Sequence, residues 1–245
     1  VFGTPLAGAI FGLEVLALGR LRYDALLPCV LAAILADQVC MLWGVHHTHY
    51  AAGVIPAISA WGLGATALAG VLFGVVGMAF ARSTQGLSAW MKDRVSYAPL
   101  RPLLGGVALA ILIWALDGWR YAGLGLPVII EAFQQPVAPW DFLAKAALTV
   151  LSLGTGFKGG EVTPLFYIGA TLGNAVAPLF HQPFALFAAL GFVAVFAGAA
   201  NTPLACTIMA MELFGTDLGL YAAMACVIAY LVSGPKGVYH AQRGQ

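Results

Sequence analysis

Residues 57–81 read AISAWGLGATALAGVLFGVVGMAFA, twenty-five positions between Pro56 and Arg82 without a charged side chain. About 20 helical residues cross a hydrocarbon layer about 30 Å thick, so this run can span a bilayer with some tilt. The rest of the 245-residue chain agrees: 61% of it is hydrophobic, only 9% is charged, and the mean hydropathy is +0.91. A soluble domain carries roughly a quarter charged residues. Too few polar side chains are present to cover a globule, so lipid must be the solvent for much of the surface. The net charge of +1 comes from scattered Lys and Arg, which excludes an electrostatic case for nucleic acid. Cys29, Cys40, Cys206 and Cys226 sit singly in apolar runs and read as small buried hydrophobes.

Further apolar runs flank the first. Residues 25–43 can cross, interrupted by Asp37; 103–116 is shorter; 183–211 is broken at Asn201-Thr202-Pro203; 218–232 precedes the last glycines and prolines. With 30 Gly and 13 Pro, the chain predicts an all-α, polytopic membrane protein of tilted and broken helices. Irregular backbone survives at membrane depth only against protein or a water-filled cavity, and broken helices are where transporters hold ions. Arg20 and Arg22 mark one loop, and Arg82, Lys92, Arg94 and Arg101 a second. The positive-inside rule places both in the cytoplasm and residues 44–56 outside.

Thr4-Pro5-Leu6-Ala7, with Ile10 and Glu14 after it, recurs as Thr202-Pro203-Leu204-Ala205 with Ile208 and Glu212, an offset of 198 residues. Pro is tolerated in a first helical turn and Thr is a natural N-cap, so each copy predicts a helix capped by Thr4 or Thr202. Two ordinary capped helices would also satisfy the pattern. Transporter repeats are often inverted, which would set Glu14 and Glu212 near opposite faces. The expected division is residues 1–56 as the later part of a first repeat and 57–245 as a second. The second copy has a long prelude and the first does not, and the chain opens without Met. A start partway through the first repeat is therefore expected.

The candidate site is Gly154-Thr155-Gly156-Phe157-Lys158-Gly159-Gly160-Glu161-Val162-Thr163-Pro164. Two glycines before a helix start permit a tight turn and leave amides unshielded. First-turn amides have no internal partner and carry partial positive charge, which makes an anion site of the backbone around Glu161 and Val162. The Thr163 hydroxyl can donate as well. A plain interhelical turn is the other reading of this pattern. A carboxylate inside a membrane costs about 2.5–3.5 kcal/mol and usually marks an ion or proton pathway. Burial and a neighbouring anion favour the protonated Glu161, which could then donate to the anion and couple its passage to a proton. A Glu that complements the helix dipole remains the alternative. His46, His47 and His49 raise the thought of a metal, but no fourth ligand lies near in sequence and an exposed polar loop is the simpler reading. Asp37 has two open readings, lining a vestibule or pairing at an interface, and Lys145 is expected near a helix start facing water, the pathway being its alternative. Tyr239, after Gly234-Pro235-Lys236-Gly237, could give a phenolic donor to a buried anion or sit at an interface.

At these residues the chain resembles the CLC family of anion channels and proton-coupled antiporters. Thr4–Gly8 resembles the helix after the family's first gating segment, and Gly123-Leu124-Gly125-Leu126-Pro127 looks like the second-repeat echo of its Gly-x-Gly-x-Pro anion loop. Gly159–Pro164 resembles the loop whose amides hold the central ion, and Tyr239 falls at the ion-coordinating tyrosine. Glu161, Thr163 and Gly156-Phe157-Lys158 look like the fluoride-exporting branch, and Val15 stands where many chloride/proton antiporters carry an acid. The resemblance implies a CLC-like inverted-repeat fold and fluoride export coupled to proton import. Gly160, Glu161, Val162, Thr163 and Tyr239 would bind the anion and Glu161 would carry the coupling. It further implies a homodimer in a bacterial inner membrane, no enzyme activity and no cofactor, with the gating glutamate and first anion loop before Val1. A chloride channel or chloride/proton antiporter is the first alternative, and a metalloenzyme built on His46, His47 and His49 a remote one.

Overall fold

The computed structural model describes residues 2–16, 18–45, 47, 48, 50–239 and 242. Ten α-helices are described: α1 Pro5–Glu14, α2 Leu26–Leu42, α3 Ala60–Arg94, α4 Leu100–Ala115, α5 Leu126–Gln134, α6 Asp141–Gly154, α7 Val162–Val176, α8 Phe184–Ala200, α9 Pro203–Phe214 and α10 Gly219–Ser233. No strand occurs among the described residues, and the all-helical expectation holds. Four helical stretches are long and apolar enough to cross a membrane: Tyr23–Leu42, Ala60–Arg94, Val162–Phe180 and Thr216–Ser233.

The breaks follow the local chemistry. Asn201 adopts a left-handed conformation (φ 57°) at the end of α8, and Pro203 then opens α9. Gly234 at φ 76° ends α10. The Ser59 hydroxyl caps α3 by accepting from the amide of Gly62 at 3.0 Å. α3 differs from expectation at its far end. It continues through Arg82 to Arg94, so Arg82, Lys92 and Arg94 lie on the helix, and Arg101 is already in the first turn of α4. Only Gly86 and no proline interrupts residues 82–94, so nothing stops the helix. At 35 residues it is about 52 Å long, well beyond the apolar layer, and its charged end can leave the membrane.

α8 is the centre of the molecule. Every residue after Phe184 is buried, and α3, α7, α9 and α10 pack around it. A helix apolar on all sides needs such a position. α7 and α8 cross with backbones nearly touching: a Cβ on Gly173 would lie 1.9 Å from the carbonyl oxygen of Phe187, and one on Gly169 2.1 Å from that of Gly191. Small residues are what let helices approach this closely within a membrane. The opposite case is α2, none of whose residues is buried; Leu27, Leu31, Leu35 and Leu42 stand exposed along it.

The repeated Thr-Pro-Leu-Ala…Glu segments form α1 and α9, which pack antiparallel. Thr4 and Thr202 occupy the N-cap positions, but neither side chain makes a capping bond, contrary to expectation. The caps come from the other helix. Glu14 accepts from the amides of Leu204 (3.1 Å) and Ala205 (2.8 Å), while Glu212 accepts from those of Leu6 (2.9 Å) and Ala7 (2.8 Å). A full carboxylate charge complements the dipole of a helix start better than a neutral hydroxyl, and the pairing is reciprocal. Glu14 and Glu212 thus stand at opposite ends of the pair.

Candidate anion site

α7 begins at Val162, two residues before Pro164, with Glu161 in the N-cap position. Its first internal bond runs from the amide of Leu165 to the carbonyl of Glu161 (3.1 Å), and Pro164 has no N–H to offer. The amides of Val162 and Thr163 therefore project from the helix start, and neither has a hydrogen-bond partner among the described residues. Gly160 is exposed, and a Cβ built there would meet nothing within 4 Å; neither it nor Gly159 has positive φ. Packing and turn geometry do not demand these glycines. Their effect is to leave the backbone bare.

The contrast with α1 and α9 gives this helix start its meaning. Those two have their first-turn amides taken up by the protein's own carboxylates. The start of α7 is left open, and Glu161 and Thr163 beside it are half-buried. Glu161 lines a cavity of about 340 Å³ with Lys158, Gly159, Thr84, Gln85 and Lys92, a polar wall that α3 and the glycine loop build together. A second cavity of about 340 Å³ borders Gly159, Gly160 and Pro164. Val162 faces a smaller apolar one of about 140 Å³ with Phe2, Phe11, Phe166 and Phe196.

Tyr239 reaches the same region from the far end of the chain. The segment after α10 is pinned to the end of α8 by the amide of Val238 on the carbonyl of Ala199 (2.8 Å), and to α3 by the Gln85 amide on the carbonyl of Gly237 (2.7 Å). The Tyr239 ring packs edge-on against Phe11 with centroids 6.2 Å apart, and its neighbour Val238 lines the Glu161 cavity. Gly160, Glu161, Val162 and Thr163 thus share one turn, and Tyr239 stands close by.

Other expected residues fall elsewhere. Lys145 does lie near a helix start, on α6, but it is 2% exposed and does not face water. Its ammonium donates to the carbonyls of Tyr121 (2.8 Å) and Gly123 (2.7 Å). The Gly123–Pro127 motif opens α5, with Gly125 left-handed (φ 72°) and so close to the Tyr167 ring that a Cβ would lie 2.6 Å from it. Beside it is a network that no motif announced: Asp141, fully buried, accepts from Arg120 (2.9 Å) and the Tyr121 hydroxyl (2.7 Å). Asp37 faces the Nε2 of His47 at 3.4 Å. His46 and His49 lie outside the described residues, and no group of three metal-ligating side chains occurs among those described.

The described residues form an all-helical fold of apolar helices with an open, glycine-flanked helix start and a carboxyl beside it, an arrangement suited to an anion. Residues 1–234 match the voltage gated chloride channel family, and the chain belongs to that family, the CLC proteins. It is 61% identical over 249 residues to a chloride/fluoride channel protein of Pseudomonas syringae pv. tomato, covering 99% of this chain and 55% of that protein. It superposes on the crystal structure of a CLC-type fluoride/proton antiporter with a TM-score of 0.95 at 37% identity, covering 99% of this chain and 62% of the other. A slow cyanobacterial Cl⁻/H⁺ antiporter shares the fold, with a TM-score of 0.74 at 22% identity over 95% of this chain and 57% of its own. The chain spans little more than half the length of these relatives.

Proposed function

We propose that this chain builds one jaw of an anion pathway in a fluoride/proton antiporter that exports fluoride against proton import. The observation that carries the reading is the start of α7, where amides of Val162 and Thr163 with no partner among the described residues share a single turn with the carboxyl of Glu161. Fluoride is small and a strong hydrogen-bond acceptor, so it is best held by several short donors. The backbone around Gly160, Glu161 and Val162 supplies the amides, and Thr163 and Tyr239 the hydroxyls. Protonated Glu161 donates to the ion; once ionised it repels it. Proton and anion occupancy are linked at one residue in this way. The likeness to the chloride/fluoride channel protein and to the fluoride/proton antiporter supports the same reading. The reciprocal Glu14 and Glu212 contacts support a pair of inverted repeats divided near residue 56. A bacterial inner membrane and a homodimer with one pathway per subunit complete the picture. The exposed apolar flank of α2 is surface for lipid or for the second copy.

The test is fluoride-driven proton uptake by the full-length protein in liposomes. Glu161→Gln and Thr163→Ala should each abolish or sharply reduce it, and uptake unchanged in both would remove the site assignment. A chloride channel or chloride/proton antiporter is the second reading, supported by the likeness to the chloride/fluoride channel protein of Pseudomonas. Equal transport of chloride and fluoride would favour it.

A further inference from the structure

α3 and α10 run side by side in the same direction. A Cβ on Gly62 would meet the Tyr221 hydroxyl, one on Gly70 the Ile228 side chain and one on Gly74 the backbone of Ala229, so residue numbers climb together along the contact. The parallel course carries two cations to one end of the pair. Arg82 is the first charge after the apolar run 57–81, and Lys236 is the first after α10. With Gln85, Gly86 and Pro235 they line a cleft of about 510 Å³. Both are exposed, and neither forms an ion pair among the described residues. No acidic side chain among the described residues lines the cleft.

Two cations facing one cleft suit an anion with several acceptor oxygens, such as a phosphate group. The cleft has room for a phosphate with its glycerol and some water, each water occupying roughly 30 Å³. The surface beside it says which kind of phosphate. Val75 and Val71 follow two and three turns back from Arg82 on the same face of α3, and both stand exposed, as does Leu231 near the end of α10. Exposed apolar side chains beneath a pair of cations match acyl chains beneath a headgroup, and a free phosphate would leave them unused. Trp90, exposed two turns beyond Arg82, is the kind of side chain that marks a membrane–water boundary. By the positive-inside rule this end of α3 is cytoplasmic, and the leaflet there carries anionic lipid. The cleft also adjoins the segment that holds Tyr239: Gln85 in its wall donates to the carbonyl of Gly237 and lines the Glu161 cavity as well.

We infer that the Arg82–Lys236 cleft binds the headgroup of an acidic phospholipid, whose acyl chains lie along α3 and α10. The site stands whichever ion the protein carries. Its test is the thermal midpoint of the full-length protein in detergent, titrated with phosphatidylglycerol, phosphatidylcholine or inorganic phosphate, since a ligand of the folded state raises the midpoint. Phosphatidylglycerol should raise it and the other two should not. Arg82→Gln and Lys236→Gln should each raise the phosphatidylglycerol concentration for half the shift about fivefold, and the double variant about twenty-five-fold. Arg94→Gln removes the same charge farther along α3 and should leave that concentration unchanged. A double variant that responds like wild type would overturn the inference, and so would an equal loss in Arg94→Gln, which would mean diffuse attraction. An equal rise with phosphatidylcholine would show that charge is not recognised. A rise with inorganic phosphate that the double variant loses would assign the cleft to free phosphate and refute the lipid.

Discussion

Replacing Glu14 by Gln tests the reciprocal clamp between α1 and α9 without changing side-chain size. In the native structure its two oxygens accept from Leu204 and Ala205 at 3.1 and 2.8 Å, against the positive end of α9, and Glu14 is only 8% exposed. Gln keeps one acceptor oxygen but turns its NH₂ group toward a backbone donor. One charge-assisted bond and the charge–dipole attraction are lost, and one buried amide is stranded, together about 2–4 kcal/mol. For a chain of this size each kcal/mol moves the melting temperature by roughly 2–4 °C, so a drop of about 4–16 °C is expected. Glu212 is less enclosed, and Glu212→Gln should cost about half as much. The two ends lie about 15 Å apart and share no partner, so the double variant should add within about 0.5 kcal/mol. The assay is the thermal midpoint of the full-length protein in detergent, at one scan rate because membrane proteins often unfold irreversibly. A Glu14→Gln midpoint within about 1 °C of wild type would refute the clamp as a stabilising device.

Gly173→Ala should cost at least about 3 kcal/mol and leave little folded protein, because its Cβ would meet the backbone of Phe187. Gly64→Ala on α3, where a Cβ meets nothing within 4 Å, should be neutral or stabilise by up to about 1 kcal/mol, and expression with size-exclusion profiles separates the two. Arg120→Gln takes the cation from fully buried Asp141 and leaves it only the Tyr121 hydroxyl, at a cost of about 3 kcal/mol; a melting temperature that does not fall would contradict this. Tyr239→Phe removes one hydroxyl donor and should raise the half-saturating fluoride concentration about fivefold with the thermal midpoint little changed.

What could be read from the chain in advance was whatever is written locally along it. The apolar runs, the break at Asn201-Thr202-Pro203 and the end of α10 at Gly234 each depend on a few neighbouring residues, and each falls where expected. The length of α3 was missed because charges at Arg82, Lys92 and Arg94 were read as loop, whereas a helix leaving the membrane carries charges readily. Lys145 and Asp141 were beyond reach for another reason. Their partners are backbone carbonyls and side chains at residues 120–123, brought to α6 by the packing of the chain, and no spacing rule records such a meeting.

The Thr-Pro-Leu-Ala…Glu repeat lies between these cases, and it bears on the site itself. Its spacing was legible; its partners were not, because a glutamate ten residues into one helix gives no sign that it caps another helix 190 residues away. Once seen, the pairing supplies a comparison that the glycine loop alone lacks. Any helix start is a latent anion site. Here the two equivalent starts, α1 and α9, are occupied by the protein's own carboxylates. At α7 the first-turn amides of Val162 and Thr163 are left open and the glycines before them bare the backbone. The same dipole is satisfied by carboxylates at α1 and α9, while at α7 the open amides lie beside the Glu161 carboxyl and the glycine loop, which suits a visiting anion better than a plain turn.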